Sequence, residues 1–343
     1  MSFTSSIIFP LLKGVFSRKG DTSDQYTIQM FDSFHREGET SEDHFVHDSR
    51  AIYAGERELD IYMPPKGTPH RGAIIYSSGG GFIVDLRSFY STRRIACKMA
   101  GDGFVVVVPQ YRMGLRSFSK QSPLRFGSAL KRAILLATED TYLVTRYLLD
   151  HARELGVEQD RIILMGSSSG SFMALQCDLE RCKGSEIYRR ILPENFSYAA
   201  IISLCGAVFS SGKPDYRDGK PAPTLFIHGT RDNLVPYRRS TVFGYGLYGP
   251  DIIASFFRKK NHPYRFMRFV NQGHSVGARY LNVYETILRF VDEAMLKTEM
   301  PTVDEYIREP FRKPIFLDYA NPIVLYRSVL SQLKLKPVSE ELL

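Results

Sequence analysis

Short apolar runs alternate with longer amphipathic stretches through most of this 343-residue chain. Arg57-Glu58-Leu59-Asp60-Ile61-Tyr62-Met63 alternates polar and apolar, as an edge or outer strand should. Pro64-Pro65-Lys66-Gly67 ends it. Gly72-Ala73-Ile74-Ile75-Tyr76, Phe104-Val105-Val106-Val107-Val108-Pro109 and Arg161-Ile162-Ile163-Leu164-Met165 are continuous apolar runs rich in β-branched residues. Runs of this kind suit strands covered on both faces, as in a parallel sheet between helix layers. Further strands are predicted at Tyr198 to Leu204, Pro223 to His228 and Tyr264 to Val270. Helical spacing of apolar residues predicts helices over 88–100, 128–153, the stretch after Gly170 and 278–296. Residues 238–260 read as partly helical, broken near Gly244, Gly246, Gly249 and Pro250. Strands of five to seven residues alternating with helices predict an α/β fold, a mostly parallel central sheet with helices on both faces.

Three segments stand outside that alternation. Residues 1–44 read as an N-terminal arm: an apolar stretch at 3–16, expected to be helical, precedes a polar connector at 17–43. In that stretch Lys13 follows most of the apolar side chains, the reverse of a secretory signal, and the stretch is too short to span a bilayer. Packing on the body or an interface is the expectation, with a weak membrane-surface contact or a degenerate targeting segment as the alternatives. Residues 206–222 form a Gly/Pro/Ser/Asp-rich loop carrying Phe209, Tyr216 and Arg217. Residues 297–343 form a proline-bearing extension whose patches, Pro314-Ile315-Phe316-Leu317 and Ile323-Val324-Leu325-Tyr326, are too apolar for a free arm. It is expected to pack on the body or across a homodimer interface, leaving 45–296 as the central domain.

Charge and cysteine content narrow the picture a little. The net charge is +8, but the basic residues are scattered and show no zinc-finger spacing, so nucleic-acid binding is not expected. Four cysteines without a CxxC pair read as thiols in a reducing, cytoplasmic setting rather than as a disulfide scaffold. No His/Asp/Glu cluster has metal-ligand spacing along the chain, so no metal is expected.

The chemistry-bearing motifs all follow predicted strands. Gly166-x-Ser168-x-Gly170 sits between a buried strand and an apolar helix, the setting of a nucleophile elbow. Ser78-Gly79-Gly80-Gly81-Phe82 lets backbone N–H groups face a ligand without side-chain obstruction. Gly80 and Gly81, with the N–H of Ser169, are the expected oxyanion donors. Asp232, in the turn after the strand ending at His228, is placed to orient an imidazole, and His228 is expected to buttress that turn. His274, in Gly273-His274-Ser275 after the last of the predicted strands, is the natural base. Asp215 or Asp218 would be the orienting acid if the 206–222 loop folds inward. Phe82, Phe209 and Tyr216 are the expected substrate-lining residues.

With these motifs in the order Ser, Asp, His, residues 55–295 resemble the α/β-hydrolases, in particular the esterase/lipase group related to hormone-sensitive lipase and bacterial acyl-carbohydrate esterases. Tyr111-Arg112-Met113 resembles that group's Tyr-Arg-Leu element, whereas Ser78 stands where its oxyanion loop usually starts with histidine. The resemblance implies a cofactor-free serine esterase using Ser168, Asp232 and His274. No separate lid domain is evident, so short or medium acyl esters, including those of a saccharide, are the expected substrates. A peptidase or amidase on the same fold, or a non-catalytic binding protein, remain the alternatives.

Overall fold

In the computed structural model, residues 49–116, 125–216, 219–242, 245–296 and 300–309 are described. The predicted helix at 3–16, the connector behind it and most of the C-terminal extension lie outside them.

Nine strands form the main sheet. In chain order they are β1 (Ser49–Ala54), β2 (Arg57–Tyr62), β3 (Gly72–Ser77), β4 (Phe104–Pro109), β5 (Ile162–Ser167), β6 (Ala200–Leu204), β8 (Thr224–Gly229), β11 (Tyr264–Phe269) and β12 (Thr302–Ile307). In space they run β1-β2-β4-β3-β5-β6-β8-β11-β12. The β1–β2 and β2–β4 pairs are antiparallel and every pair from β4 onward is parallel. This is the α/β-hydrolase fold.

The period of two in the strands decides what each face packs against. Val105 and Val107 of β4 join Ile75, Leu164, Ile201 and Phe226 in one core. That core is covered by α2 (Phe126–Asp150), α4 (Ser169–Cys182) and α6 (Pro250–Lys259). Val106 and Val108 point the other way, into a core closed by α1 (Tyr90–Gly101) and α7 (Tyr284–Met295). All four valines are fully buried, worth roughly 1.5–3 kcal/mol each relative to exposure. Two short helices, α3 (Ala152–Leu155) and α5 (Glu186–Ile191), fill connections. A third apolar cluster joins Phe82, Tyr111 and Met113 to Phe172, Phe209, Val235 and Leu247.

Besides β1, an unpredicted strand that pairs with β2, three differences from the sequence reading concern short or edge strands. The loop at 206–222 contains β7 (Val208–Ser210). The first part of 238–260 is not helical but forms β9 (Arg239–Val242) and β10 (Tyr245–Tyr248), which with β7 make a small antiparallel sheet. The third difference is β12, in the C-terminal extension, which pairs in parallel with β11. It is held by charge as well as by its ladder: Asp304 accepts from the buried Arg268 at 2.9 and 2.6 Å and also pairs with Arg258. Among the described residues no helix is long and apolar enough to cross a membrane.

Candidate active site

The three residues singled out from their motifs come from three strand ends and meet. Ser168 follows β5, Asp232 follows β8 and His274 follows β11. His274 Nε2 lies 2.9 Å from Ser168 Oγ, and His274 Nδ1 lies 2.7 Å from Asp232 Oδ2. Because Nδ1 faces a carboxylate, it carries the ring proton. Nε2 is left to accept from the serine hydroxyl.

The elbow explains how Ser168 is presented. Its backbone sits at φ 53°, ψ −118°, a strained conformation for a residue with a side chain. The turn is fixed by the Ser168 N–H donating to Leu204 O at 2.9 Å and by the Ser167 hydroxyl donating to Gly277 O at 2.7 Å. Gly170 permits it: a Cβ there would stand 1.9 Å from the Ser77 carbonyl oxygen. The 14-residue α4 then begins at Ser169, so its amino end and partial positive charge abut the serine.

Asp232 is buried and densely supplied with donors. Its Oδ1 accepts the N–H groups of Leu234 and Val235, each at 2.9 Å. Its Oδ2 faces His228 Nε2 at 3.2 Å as well as His274. Burial alone would raise this carboxyl, but the charge and hydrogen bonds of His274 and His228 outweigh it and hold the group below the ordinary aspartate range. His228 Nε2 also lies 3.2 Å from Val235 O, so His228 buttresses the acid turn, as read from its position. Asp178 serves elsewhere, taking Arg181 at 2.8 Å and the Ala222 N–H at 3.0 Å. Asp218 lies outside the described residues.

The Gly-rich loop lies against the elbow. Gly80 adopts φ +124°, open to glycine, and a Cβ there would meet Val84 O at 2.1 Å. The Gly81 N–H, expected to serve an oxyanion, donates instead to Ser169 Oγ at 3.0 Å. Tyr111 Oη lies 3.1 Å from that same hydroxyl, 3.0 Å from Ser78 O and 3.3 Å from Gly79 O. The sequence marked Tyr111 only through its Tyr-Arg-Met setting, and nothing in the pattern pointed to the Ser169 side chain.

Of the expected substrate-lining residues, Phe82 and Phe209 fall in the third apolar cluster, both largely buried. The Phe82 ring meets Tyr111 and Phe172 edge-on, and both backbone polar groups of Phe209 bond the Gln176 side-chain amide. Tyr216 is a correction. It is 1% exposed and packs against Phe256 and Phe257, centroids 5.4 and 5.2 Å away, in the core beneath α4 and α6. Its ring finds more apolar contact there than a crevice would offer.

The structure also assembles a group that spacing along the chain does not reveal. Ligand atoms of Cys205, Asp232 and His274 lie within 4.8 Å of one another. Burial, reinforced by the Asp232 carboxylate, pushes the Cys205 thiol well above its usual pKa and keeps it protonated. Asp232 and His274 are already committed to each other and to Ser168.

The comparisons agree with this architecture. The sequence pattern of the BD-FAE family matches residues 59–208. No curated protein matches the chain. Among solved structures, Thermogutta terrifontis esterase 2 phosphorylated by paraoxon is similar at 20% identity and TM-score 0.50, covering 73% of this chain and 93% of that one. The same esterase phosphoramylated by tabun gives 19% identity and TM-score 0.51, covering 73% and 94%. At that identity the likeness speaks for the fold: the chain is an α/β-hydrolase in architecture, with the Ser168–His274–Asp232 geometry of a serine hydrolase.

Proposed function

We propose that this protein is a serine carboxylic-ester hydrolase acting on short or medium acyl esters. The observation that carries the reading is the continuous hydrogen-bond line from Asp232 through His274 to Ser168. Ser168 Oγ attacks the acyl carbon while His274 Nε2 takes its proton. The carboxylate of Asp232 holds the ring in position and stabilises the imidazolium. Negative charge then develops on the carbonyl oxygen beside the loop at Gly80 and the N–H of Ser169, at the amino end of α4. Collapse breaks the ester C–O bond, and the alcohol leaves with the proton from His274. Water, activated by the same imidazole, releases the acid and restores Ser168.

The short acyl preference rests on the cluster of Phe82, Phe172, Phe209, Val235 and Leu247, whose side chains are already closely packed together. A saccharide hydroxyl as leaving group is the finer part of the reading. It loses the support of Tyr216, which stacks in the core.

An organophosphate is the direct probe, since paraoxon phosphorylates an esterase of this fold. Paraoxon is expected to label the protein once, at Ser168, and Ser168→Ala is expected to abolish both labelling and turnover. A series of p-nitrophenyl esters, run beside acetylated saccharides and an anilide, reads acyl length and leaving group as ratios of kcat/KM. A maximum near two to four carbons is expected. No labelling and no hydrolysis of any ester would end the esterase reading, and a maximum at about twelve carbons or more would end its acyl-length part.

A further inference from the structure

We propose that the Ser169 and Tyr111 hydroxyls form a closed relay that presets the oxyanion loop, making both positioning residues for the ester chemistry; this rests on the esterase reading above. The proton count permits one consistent direction. The Gly81 N–H donates to Ser169 Oγ at 3.0 Å. The Ser169 hydroxyl, 3.1 Å from Tyr111 Oη, donates to it. The tyrosine hydroxyl donates to Ser78 O at 3.0 Å, with Gly79 O at 3.3 Å sharing the proton. The path leaves the loop at its Gly81 N–H and returns at its Ser78 carbonyl, so both ends of a four-residue glycine turn are gripped.

Such a turn needs gripping. Three consecutive glycines lose more backbone freedom on ordering than any other residues would, and no side chain of their own holds them. Ser78 and Tyr111 are both buried, so the relay is shielded from competing water. Ser169 ties the relay to the nucleophile, because the hydroxyl that accepts from the loop belongs to the residue next to Ser168. The loop and the serine are therefore spaced by two side-chain hydroxyls rather than by chance closure. With the Gly81 N–H committed to Ser169, the Gly80 and Ser169 N–H groups, which bond no described residue, are the ones left to face a reacting oxygen.

Arg112, the next residue, anchors Tyr111 from behind: its backbone N–H donates to Asp140 Oδ2 at 2.7 Å and its guanidinium to the same carboxylate at 3.0 Å. Asp140 is fully buried, so the base of the relay is fixed to α2.

Three variants test this: Tyr111→Phe and Ser169→Ala each remove one oxygen, and Ser169→Thr keeps the hydroxyl. A relay that acts on the transition state predicts that Tyr111→Phe and Ser169→Ala lower kcat about 10- to 100-fold with KM within about twofold, and that Ser169→Thr recovers most of the loss. The Ki of a trifluoromethyl ketone, which forms the tetrahedral adduct, should rise in parallel with the fall in kcat/KM. Amide hydrogen exchange across 78–84 should quicken about tenfold in the first two variants, with or without turnover. Wild-type kcat in Ser169→Ala, where the Gly81 N–H is set free, would overturn the relay. So would unchanged exchange in both oxygen-deleted variants. An inactive, unlabelled wild-type protein would instead overturn the esterase reading, while the exchange measurement still decides the relay.

Discussion

Replacing Asp232 by asparagine is the sharpest test of the division of labour at this site. The substitution keeps shape and volume, so its effect comes from the lost charge and the rearranged protons. Oδ1 accepts two backbone N–H groups, from Leu234 and Val235, at 2.9 Å each. An amide nitrogen cannot accept them, so the carbonyl oxygen of the asparagine is forced to that side. Its NH2 then points at His274 Nδ1 and His228 Nε2, where Oδ2 stood at 2.7 and 3.2 Å. Nδ1 of His274 must now accept, the proton moves to Nε2, and Nε2 can no longer take one from Ser168. A wrong tautomer of this kind costs about 10⁴ in kcat in a serine protease. At 1.36 kcal/mol per decade that is about 5.4 kcal/mol of transition-state stabilisation. His228 Nε2 keeps Val235 O at 3.2 Å as an acceptor but meets an NH2 donor where it faced a carboxylate oxygen. That adds a separate stability loss of about 1–3 kcal/mol. Steady-state hydrolysis of p-nitrophenyl acetate reads the first effect and thermal melting the second. A D232N protein within tenfold of wild-type turnover would show that Asp232 does not set the tautomer.

Four other outcomes are expected. Ser168→Gly and Ser168→Ala should both be inactive, but the glycine variant should melt higher by a few degrees, since it relieves a positive φ worth about 1–3 kcal/mol; equal melting would mean the elbow stores no strain. Gly170→Ala should destabilise by about 3 kcal/mol or more, because its Cβ meets the Ser77 carbonyl oxygen, and denaturant titration checks it. Asp304→Ala should cost about 1–3 kcal/mol by leaving the buried Arg268 with one carboxylate, Asp251, and its melting temperature should fall accordingly. Asp232 also sets an acid limb. Its pKa is lower folded than unfolded, so the native state binds fewer protons and the contribution is fully present above the unfolded value of about 4. It is lost as pH falls toward the depressed value, and D232N should flatten that part of the stability–pH curve.

Much of this fold could be read along the chain because its strands are short, apolar and covered on both sides. Phe104–Pro109 is such a run and appears as β4 with the same ends. The strands that escaped notice lack that signature. Val208–Ser210 is three residues long in a Gly/Ser-rich loop, and Thr302–Ile307 is half exposed and polar because it lies at the sheet's edge. Ser168, Asp232 and His274 were legible from motif and chain order, since each follows a strand and strand ends converge. Tyr216 was misplaced because its partners, Phe256 and Phe257, sit on a helix far along the chain. Tyr111 and Cys205 reach the site only through contacts between distant segments, which no local pattern records.

The strand β12 has a consequence for how the protein meets its neighbours. Among the described residues, β11 would without it be the last strand, a parallel edge bearing Phe266 and Phe269, with a row of unpaired backbone groups ready to template another chain. β12 occupies that row in full register from Tyr264↔Thr302 to Phe269↔Ile307. Its Asp304 pairs with Arg268 and Arg258 and its Glu305 with Arg265, so the added strand is fastened by charge to the strand it covers and to α6. The segment after α7 thus works as an edge guard, held over β11 by ion pairs as well as by its ladder.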